Sequence, residues 1–133
     1  IKGKTEKAGL EKHVYFAGRQ ENISRYLSAM DVFLFPSVFE GVPFALIEAQ
    51  TNGLACVMSD TVSEEAVVFP ERVKRLSLQE SDRTWAETVE EMSRLPREHA
   101  DVIKEKLSAA HFDIETEGLT ESELISLLSS IIK

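Results

Sequence analysis

Short apolar runs alternate along the chain with stretches in which apolar residues recur every three or four positions. Val32-Phe33-Leu34-Phe35 and Leu54-Ala55-Cys56-Val57-Met58 are apolar at every position rather than at alternate ones. That pattern predicts strands of a parallel sheet covered on both faces. His13-Val14-Tyr15-Phe16-Ala17, closed by Gly18, reads as another β-rich run. Val73 to Leu78 predicts a further strand, and Val67-Val68-Phe69, just before Pro70, a shorter one.

The intervening stretches have helical period. Residues 1–12 read as the end of a helix stopped at Gly9-Leu10, with Lys2, Lys4 and Lys7 suiting its carboxyl-terminal half. Ile23, Tyr26, Leu27 and Met30 share one face of a helix that Asn22 or Ser24 can cap. Pro43 suits the first position of a helix and Gly53 its carboxyl-terminal stop. Ser81 or Asp82 caps a helix over 83–95 that turns Trp85, Val89 and Met92 inward, and Pro96 breaks it. Helices over 98–110 and 120–132 complete the chain, the last opened by a capping box at Thr120-Glu121-Ser122-Glu123.

Strand and helix in alternation predict parallel βαβ units, hence an α/β fold with a small parallel sheet flanked by helices. One domain over residues 1–133 is expected, since no repeat, low-complexity stretch or linker interrupts the pattern. So few short strands suggest that opening βα units lie outside this segment. Ligands of such sheets bind beyond the carboxyl ends of the strands. The residues to watch are therefore Gly18-Arg19-Gln20, Pro36 to Pro43, and Ser59-Asp60-Thr61.

Charge and composition narrow the field. The 133 residues carry 15 Lys and Arg against 23 Asp and Glu, a net charge of −8. Such a surface repels phosphate backbones and argues against nucleic-acid binding. A single cysteine, Cys56, makes neither an internal disulfide nor a zinc site and suits a reducing, cytoplasmic compartment. With no charged group near it to lower its pKa, it reads as core packing rather than a nucleophile. His13, His99 and His111 stand far apart and in no metal motif. No apolar run reaches membrane-spanning length, and the amino terminus does not resemble a secretory signal. The chain starts at Ile1 rather than Met, as expected of a piece of a longer protein.

The candidate chemistry lies in Phe39-Glu40-Gly41-Val42-Pro43-Phe44-Ala45-Leu46-Ile47-Glu48-Ala49-Gln50. From Pro43 to Leu54 the only ionisable residue is Glu48, in a helix apolar nearly all round and so expected to be buried. A buried carboxylate needs a partner; the plainer reading leaves Glu48 on the surface with a solvated head. Glu48 lies five residues past Pro43, about 7.5 Å along the axis, and Glu40 lies just outside the helix start. Both then reach a ligand docked on that start, where the N–H groups of Phe44 and Ala45 and the positive helix end receive a diphosphate. Gly41 lets the backbone come close. Carboxylates repel phosphate but accept hydrogen bonds from hydroxyls on either side of it, as acidic residues do with a ribose. A ligand with a phosphate centre and hydroxyl-rich ends is a nucleotide sugar.

These residues resemble a known family. Phe16-Ala17-Gly18, Tyr26 through Ser37, Glu40-Gly41-Val42-Pro43 with Ile47-Glu48-Ala49, Gly53-Leu54 and Ser59-Asp60 are similar to the carboxyl-terminal, donor-binding half of retaining GT-B glycosyltransferases, the group called glycosyltransferase family 4. Glu40 and Glu48 stand as that family's E-x7-E signature. The resemblance covers roughly residues 8–90. It implies a partial Rossmann-like domain and transfer of a sugar from a nucleotide diphosphate sugar, by default UDP-linked, to an acceptor hydroxyl in polysaccharide or glycolipid synthesis. Glu40 then contacts the donor sugar and Glu48 the ribose. The backbone from Val42 to Ala45 holds the diphosphate, and the Gly18-Arg19 loop lies near the base. No metal is implied, because a helix dipole and basic side chains neutralise the leaving group. The family's diphosphate-gripping Arg and Lys, and its acceptor-binding amino-terminal domain, lie upstream of this segment, and Arg19 is not their equivalent by position. The segment alone is therefore expected to be inactive, and the parent to work in the cytoplasm or as a peripheral enzyme on the inner membrane face.

Three other readings remain open from sequence, one of them a degenerate, non-catalytic partner subunit, against which the intact glutamate pair argues. A GT-B-fold epimerase or phosphorylase-like enzyme keeps the architecture and changes the reaction. A non-catalytic nucleotide-binding or receiver-like module needs a phosphoacceptor at a strand end, for which Asp60 is the candidate. Asp60 reads equally well as a turn residue with Thr61 and Ser63.

Overall fold

The structure, a computed structural model, describes residues 1–41 and 43–109. In chain order the elements are α1 (Lys2–Lys7), α2 (Ile23–Ala29), β1 (Val32–Phe35), α3 (Phe44–Thr51), β2 (Ala55–Ser59), β3 (Val73–Leu76), α4 (Asp82–Ser93) and α5 (Ala100–Ala109), with 3-10 turns at Glu64–Ala66 and Pro70–Arg72. The three strands form one sheet in the order β1-β2-β3. All are parallel, with Phe33 opposite Cys56 and Met58 opposite Arg75. The α/β class with a small parallel sheet flanked by helices is as the sequence pattern predicts.

The central strand explains the layering. Every residue of β2 is buried, so both of its faces need a cover. On one face Cys56 and Met58 pack with Leu27 of α2, Leu46 and Ala49 of α3, and Val62 and Ala66 beyond the strand. Phe33 and Phe35 join this layer and stack at a centroid distance of 5.9 Å. On the other face Ala55 and Val57 pack against Met92, Val89 and Trp85 of α4, the stripe its sequence predicts. Burying a side chain the size of Met58 or Leu46 contributes roughly 1.5–3 kcal/mol, and both are 0% exposed. The edge strand β1 is less covered, and Leu34 is 46% exposed.

Helix ends follow their sequence signals. Asn22 Oδ1 accepts the Arg25 N–H at 3.3 Å and Ser81 Oγ accepts that of Thr84 at 3.1 Å. Gly53, at φ +81°, ends α3: its N–H reaches Gln50 O and that of Leu54 reaches Ala49 O, the paired bonds of a left-handed helix stop. A Cβ at Gly53 would come within 2.7 Å of the Glu98 carbonyl oxygen, so conformation and packing both demand glycine there.

Several expectations need correction. Residues 13–17 form no strand. Among the described residues β1 pairs only with β2, so this run has no ladder to join, and Tyr15 is 82% exposed. Val67-Val68-Phe69 is a loop, because the N–H groups of Val68 and Phe69 donate to Gln50 Oε1 at 2.8 and 3.1 Å instead of to a strand. The strand expected over 73–78 stops at Leu76. Pro43 caps α3 rather than opening it. The α3 helix is not buried all round: Ala45 is exposed and Glu48 half-buried. The helix expected from residue 98 starts at Ala100. The helix over 120–132 and its capping box lie outside the described residues.

Polar side chains lock these layers. Gln50 is fully buried, and its Nε2 donates to Leu46 O and to Ala66 O at 3.1 and 2.7 Å. With the two bonds its Oε1 accepts, this amide fastens the loop after β2 to α3. Arg97 Nη2 donates to Leu27 O and Met30 O, and its Nη1 to Asn52 O at 2.7 Å. One guanidinium thereby satisfies the carboxyl ends of both α2 and α3, whose last carbonyls lack helical partners.

Replacing Gln50 with Leu strands a buried carbonyl and two loop N–H groups, and is expected to cost about 2–3 kcal/mol in denaturant unfolding; a loss below about 0.5 kcal/mol would contradict this role. Burial pushes the Cys56 thiol from 9.0 up to about 12, against a smaller opposing pull from Arg72. The unfolded chain thus loses that proton first, so stability falls as pH rises from 9.0 towards 12. At pH near 8 an aromatic disulfide reagent should label Cys56 only after unfolding; prompt labelling of the native chain would contradict its place in the core.

Candidate functional site

The carboxyl ends of β1 and β2 lead into the two loops that carry most of the candidate residues. The first, from Pro36 to Pro43, is anchored at Ser37. The Ser37 carbonyl accepts the Ser59 hydroxyl and, at 2.9 Å, the Thr61 hydroxyl. Ser59 is buried and Thr61 exposed, so the end of β2 holds the loop from below. Ser37 Oγ in turn donates to Glu40 Oε1 at 2.8 Å. The exposed Glu40 carboxylate is thus tied through one serine to the central strand. Its neighbours Val38 and Phe39 are 74% and 84% exposed, an apolar lip beside an acidic group.

The second loop, after β2, is held by β3. Arg75 pairs with Glu64 and donates from Nη2 to Asp60 O at 2.8 Å and to Val62 O at 3.1 Å. The Asp60 N–H bonds Leu76 O at 2.9 Å, so its backbone is part of this clasp while its side chain is exposed. Among the described residues no group of three or more His, Cys, Asp or Glu could hold a metal ion. Among the described residues, Asp60 therefore belongs to no acidic cluster of the kind that a receiver-like phosphoacceptor site requires.

Gly41 is exposed, and a Cβ there would meet no atom within 4 Å. No contact with the described residues therefore demands glycine at that position. Pro43 is buried and caps α3, where its carbonyl accepts the Leu46 and Ile47 N–H groups. Phe44 and Ala45 form the first turn, half-buried and exposed respectively. Val42, between Gly41 and Pro43, lies outside the described residues.

Glu48 joins this region to the loop before α2. Its half-buried side chain and residues Gln20 to Ser24 line one open cleft of about 450 Å³. The loop turns at Gly18, φ +68°, and Gln20 Nε2 closes the turn on the Ala17 carbonyl. Arg19 lines an adjoining hollow of about 510 Å³ with Arg25 and Tyr26, and the two hollows share Gln20, Glu21 and Asn22. Glu48 therefore shares a cleft with residues 20–24, nearly thirty residues earlier in sequence, while Arg19 lines only the adjoining hollow and Gly18 lines neither. Glu40 lies among the lining residues of neither hollow.

Sequence reasoning passed over the positioning residues. Ser59 and Thr61 were visible as strand-exit residues, but not their grip on Ser37. An arginine inside a strand, Arg75, was a signal, yet its partners lie 11 to 15 residues back in the chain.

No helix among the described residues is long and apolar enough to cross a membrane. Among solved structures, none matches the chain. Among curated proteins, the chain is 36% identical over 115 residues to the putative glycosyltransferase EpsF of Bacillus subtilis, covering 86% of this chain and 30% of that protein. It is 39% identical over 59 residues, 44% of the chain and 15% of the relative, to a UDP-Gal:alpha-D-GlcNAc-diphosphoundecaprenol alpha-1,3-galactosyltransferase of Escherichia coli. It is 32% identical over 84 residues, 63% of the chain and 24% of the relative, to the capsular polysaccharide biosynthesis glycosyltransferase CapH of Staphylococcus aureus. The chain thus spans at most about a third of the length of these relatives. The sequence profile of the glycosyl transferases group 1 matches residues 1–108. With its partial Rossmann-like sheet and the E-x7-E pair at Glu40 and Glu48, the chain belongs to the glycosyl transferases group 1 family.

Proposed function

We propose that this chain is the donor-binding part of a retaining glycosyltransferase that takes a nucleotide diphosphate sugar, uridine-linked, and passes a hexosyl group to an acceptor hydroxyl. The observation that carries the reading is the cleft that Glu48 shares with the loop following Gly18 and Arg19. A nucleoside laid in it would set its ribose hydroxyls against the Glu48 carboxylate and its base towards Arg19 and Tyr26. The diphosphate would then run to the start of α3, where the N–H groups of Phe44 and Ala45 and the positive helix end favour an anion. Gly41 would let the backbone of the Gly41-Val42-Pro43 segment approach it. Glu40, oriented by Ser37, would accept hydrogen bonds from the donor sugar.

In the transfer, the bond from the anomeric carbon to the diphosphate oxygen breaks. The acceptor oxygen bonds to that carbon on the same face, and the acceptor proton passes to the departing phosphate. The helix end stabilises the charge growing on that phosphate, and no metal is needed for it. Further basic groups and the acceptor site belong to upstream parts of the parent, so this chain binds donor without completing transfer. The names of CapH and the galactosyltransferase relative support a parent at work in polysaccharide or glycolipid assembly. Such a parent would act in the cytoplasm, at the inner face of the membrane, with the exposed Val38 and Phe39 turned towards its acceptor half.

Amide NMR titration with uridine, guanosine and adenosine diphosphates tests the reading. The uridine compound is expected to shift Gly18, Gln20, Gly41, Phe44 and Glu48 together, and Glu48→Gln to weaken it about tenfold, as loss of a charged hydrogen-bond acceptor should. Silence of those amides, both in this chain and in a longer one carrying the upstream residues, would overturn it.

A further inference from the structure

The turn from α3 into β2 reads Asn52-Gly53, a dipeptide with chemistry of its own. In an unfolded chain the backbone nitrogen of such a glycine gives up its proton to water and attacks Cγ of the asparagine before it. A bond from that nitrogen to Cγ forms, the Cγ–Nδ2 bond breaks, and Nδ2 leaves as ammonia. Water then opens the five-membered imide at either carbonyl, leaving aspartate or isoaspartate. Glycine favours the step because no side chain shields its nitrogen and its backbone turns freely. Asn52 is half-buried and Gly53 buried, so the fold decides whether the two atoms meet.

The fold holds one peptide unit at both ends. The Gly53 N–H, whose nitrogen would attack, donates to Gln50 O at 2.9 Å. The Asn52 carbonyl, which must swing with it, accepts from Arg97 Nη1 at 2.7 Å. The same Nη1 donates to Asn52 Oδ1 at 2.6 Å, so the target side chain is fixed as well. On the far side of Gly53, its carbonyl accepts the Glu98 N–H and Arg72 Nη2, each at 3.1 Å. A donor on Oδ1 polarises Cγ and by itself favours attack. It gains nothing here, because the attacking N–H is committed to Gln50 and points along the helix rather than at its neighbour's side chain.

We propose that Asn52-Gly53 is a deamidation site that the Arg97 guanidinium holds shut, so that conversion proceeds only from molecules in which the end of α3 has opened. Arg97 Nη2 is anchored on Leu27 O and Met30 O, which keeps Nη1 in place over Asn52. The clamp guards the site region as well as one side chain. Isoaspartate at 52 inserts one extra carbon into the main chain between α3 and β2. That breaks the register of the Gly53 and Leu54 bonds that end α3 and loosens the helix that carries Glu48 into its cleft.

Peptide mass spectrometry of the chain, aged at mildly alkaline pH, tests the clamp against a synthetic peptide spanning Asn52. Native Asn52 is expected to convert about a hundredfold more slowly than the peptide, because several hydrogen bonds must open first. Hydrogen exchange of the Gly53 amide in the same chain should be slowed by a similar factor, since one opening exposes both. Arg97→Gln, shown by circular dichroism to be folded, should speed conversion about tenfold. Conversion of the native chain as fast as that of the peptide would overturn the proposal. So would Gly53 exchange at the peptide rate while conversion stays slow, or a folded Arg97→Gln chain that converts no faster than the original. Should that variant not fold, the comparison of exchange with conversion decides.

Discussion

The whole arrangement depends on one strand that has no exposed side. With five consecutive residues buried, β2 cannot be an edge and cannot face water, so it must have a strand on each flank and a helix layer over each face. Parallel pairing with β1 and β3 then follows from the crossovers through α3 and through the loop with its two 3-10 turns. Parallel strands in turn send their outgoing loops to a common edge. The approach of Glu48 to the Gly18 loop, and the anchoring of the Glu40 loop on Ser59, are consequences of that single constraint.

The two edges of the sheet are built with different chemistry. At the incoming edge, the buried Arg72 and the exposed Arg97 gather backbone carbonyls from α2, α3 and the segment after α4. At the outgoing edge the ties are smaller: two hydroxyls on the Ser37 carbonyl, and the Arg75 clasp on Asp60 and Val62. These ties fix the roots of the loops and leave their tips, Val38 to Gly41, exposed. A rigid frame with open loop tips suits a site that must admit and release a ligand.

Much of this was legible in the sequence because it is local. Continuous apolar runs marked β1 and β2, the Trp85-Val89-Met92 stripe marked α4, and Asn22, Ser81 and Gly53 marked helix ends. What could not be read is what depends on distant partners. The run at 13–17 has strand composition, but a strand exists only beside another. Val67 to Phe69 was lost to the sheet because a glutamine 18 residues earlier takes its N–H groups. The E-x7-E pair, with the motifs around it, pointed to the family. The cleft that joins Glu48 to the loop after Gly18 needed the folded chain, since nearly thirty residues separate them.

The most direct test of the account is a crystal structure of the chain grown with saturating uridine diphosphate. The account predicts the ribose hydroxyls within hydrogen-bonding distance of the Glu48 carboxylate and the diphosphate over the first turn of α3. A nucleotide seated anywhere else, with Glu48 facing only solvent and protein, would contradict it.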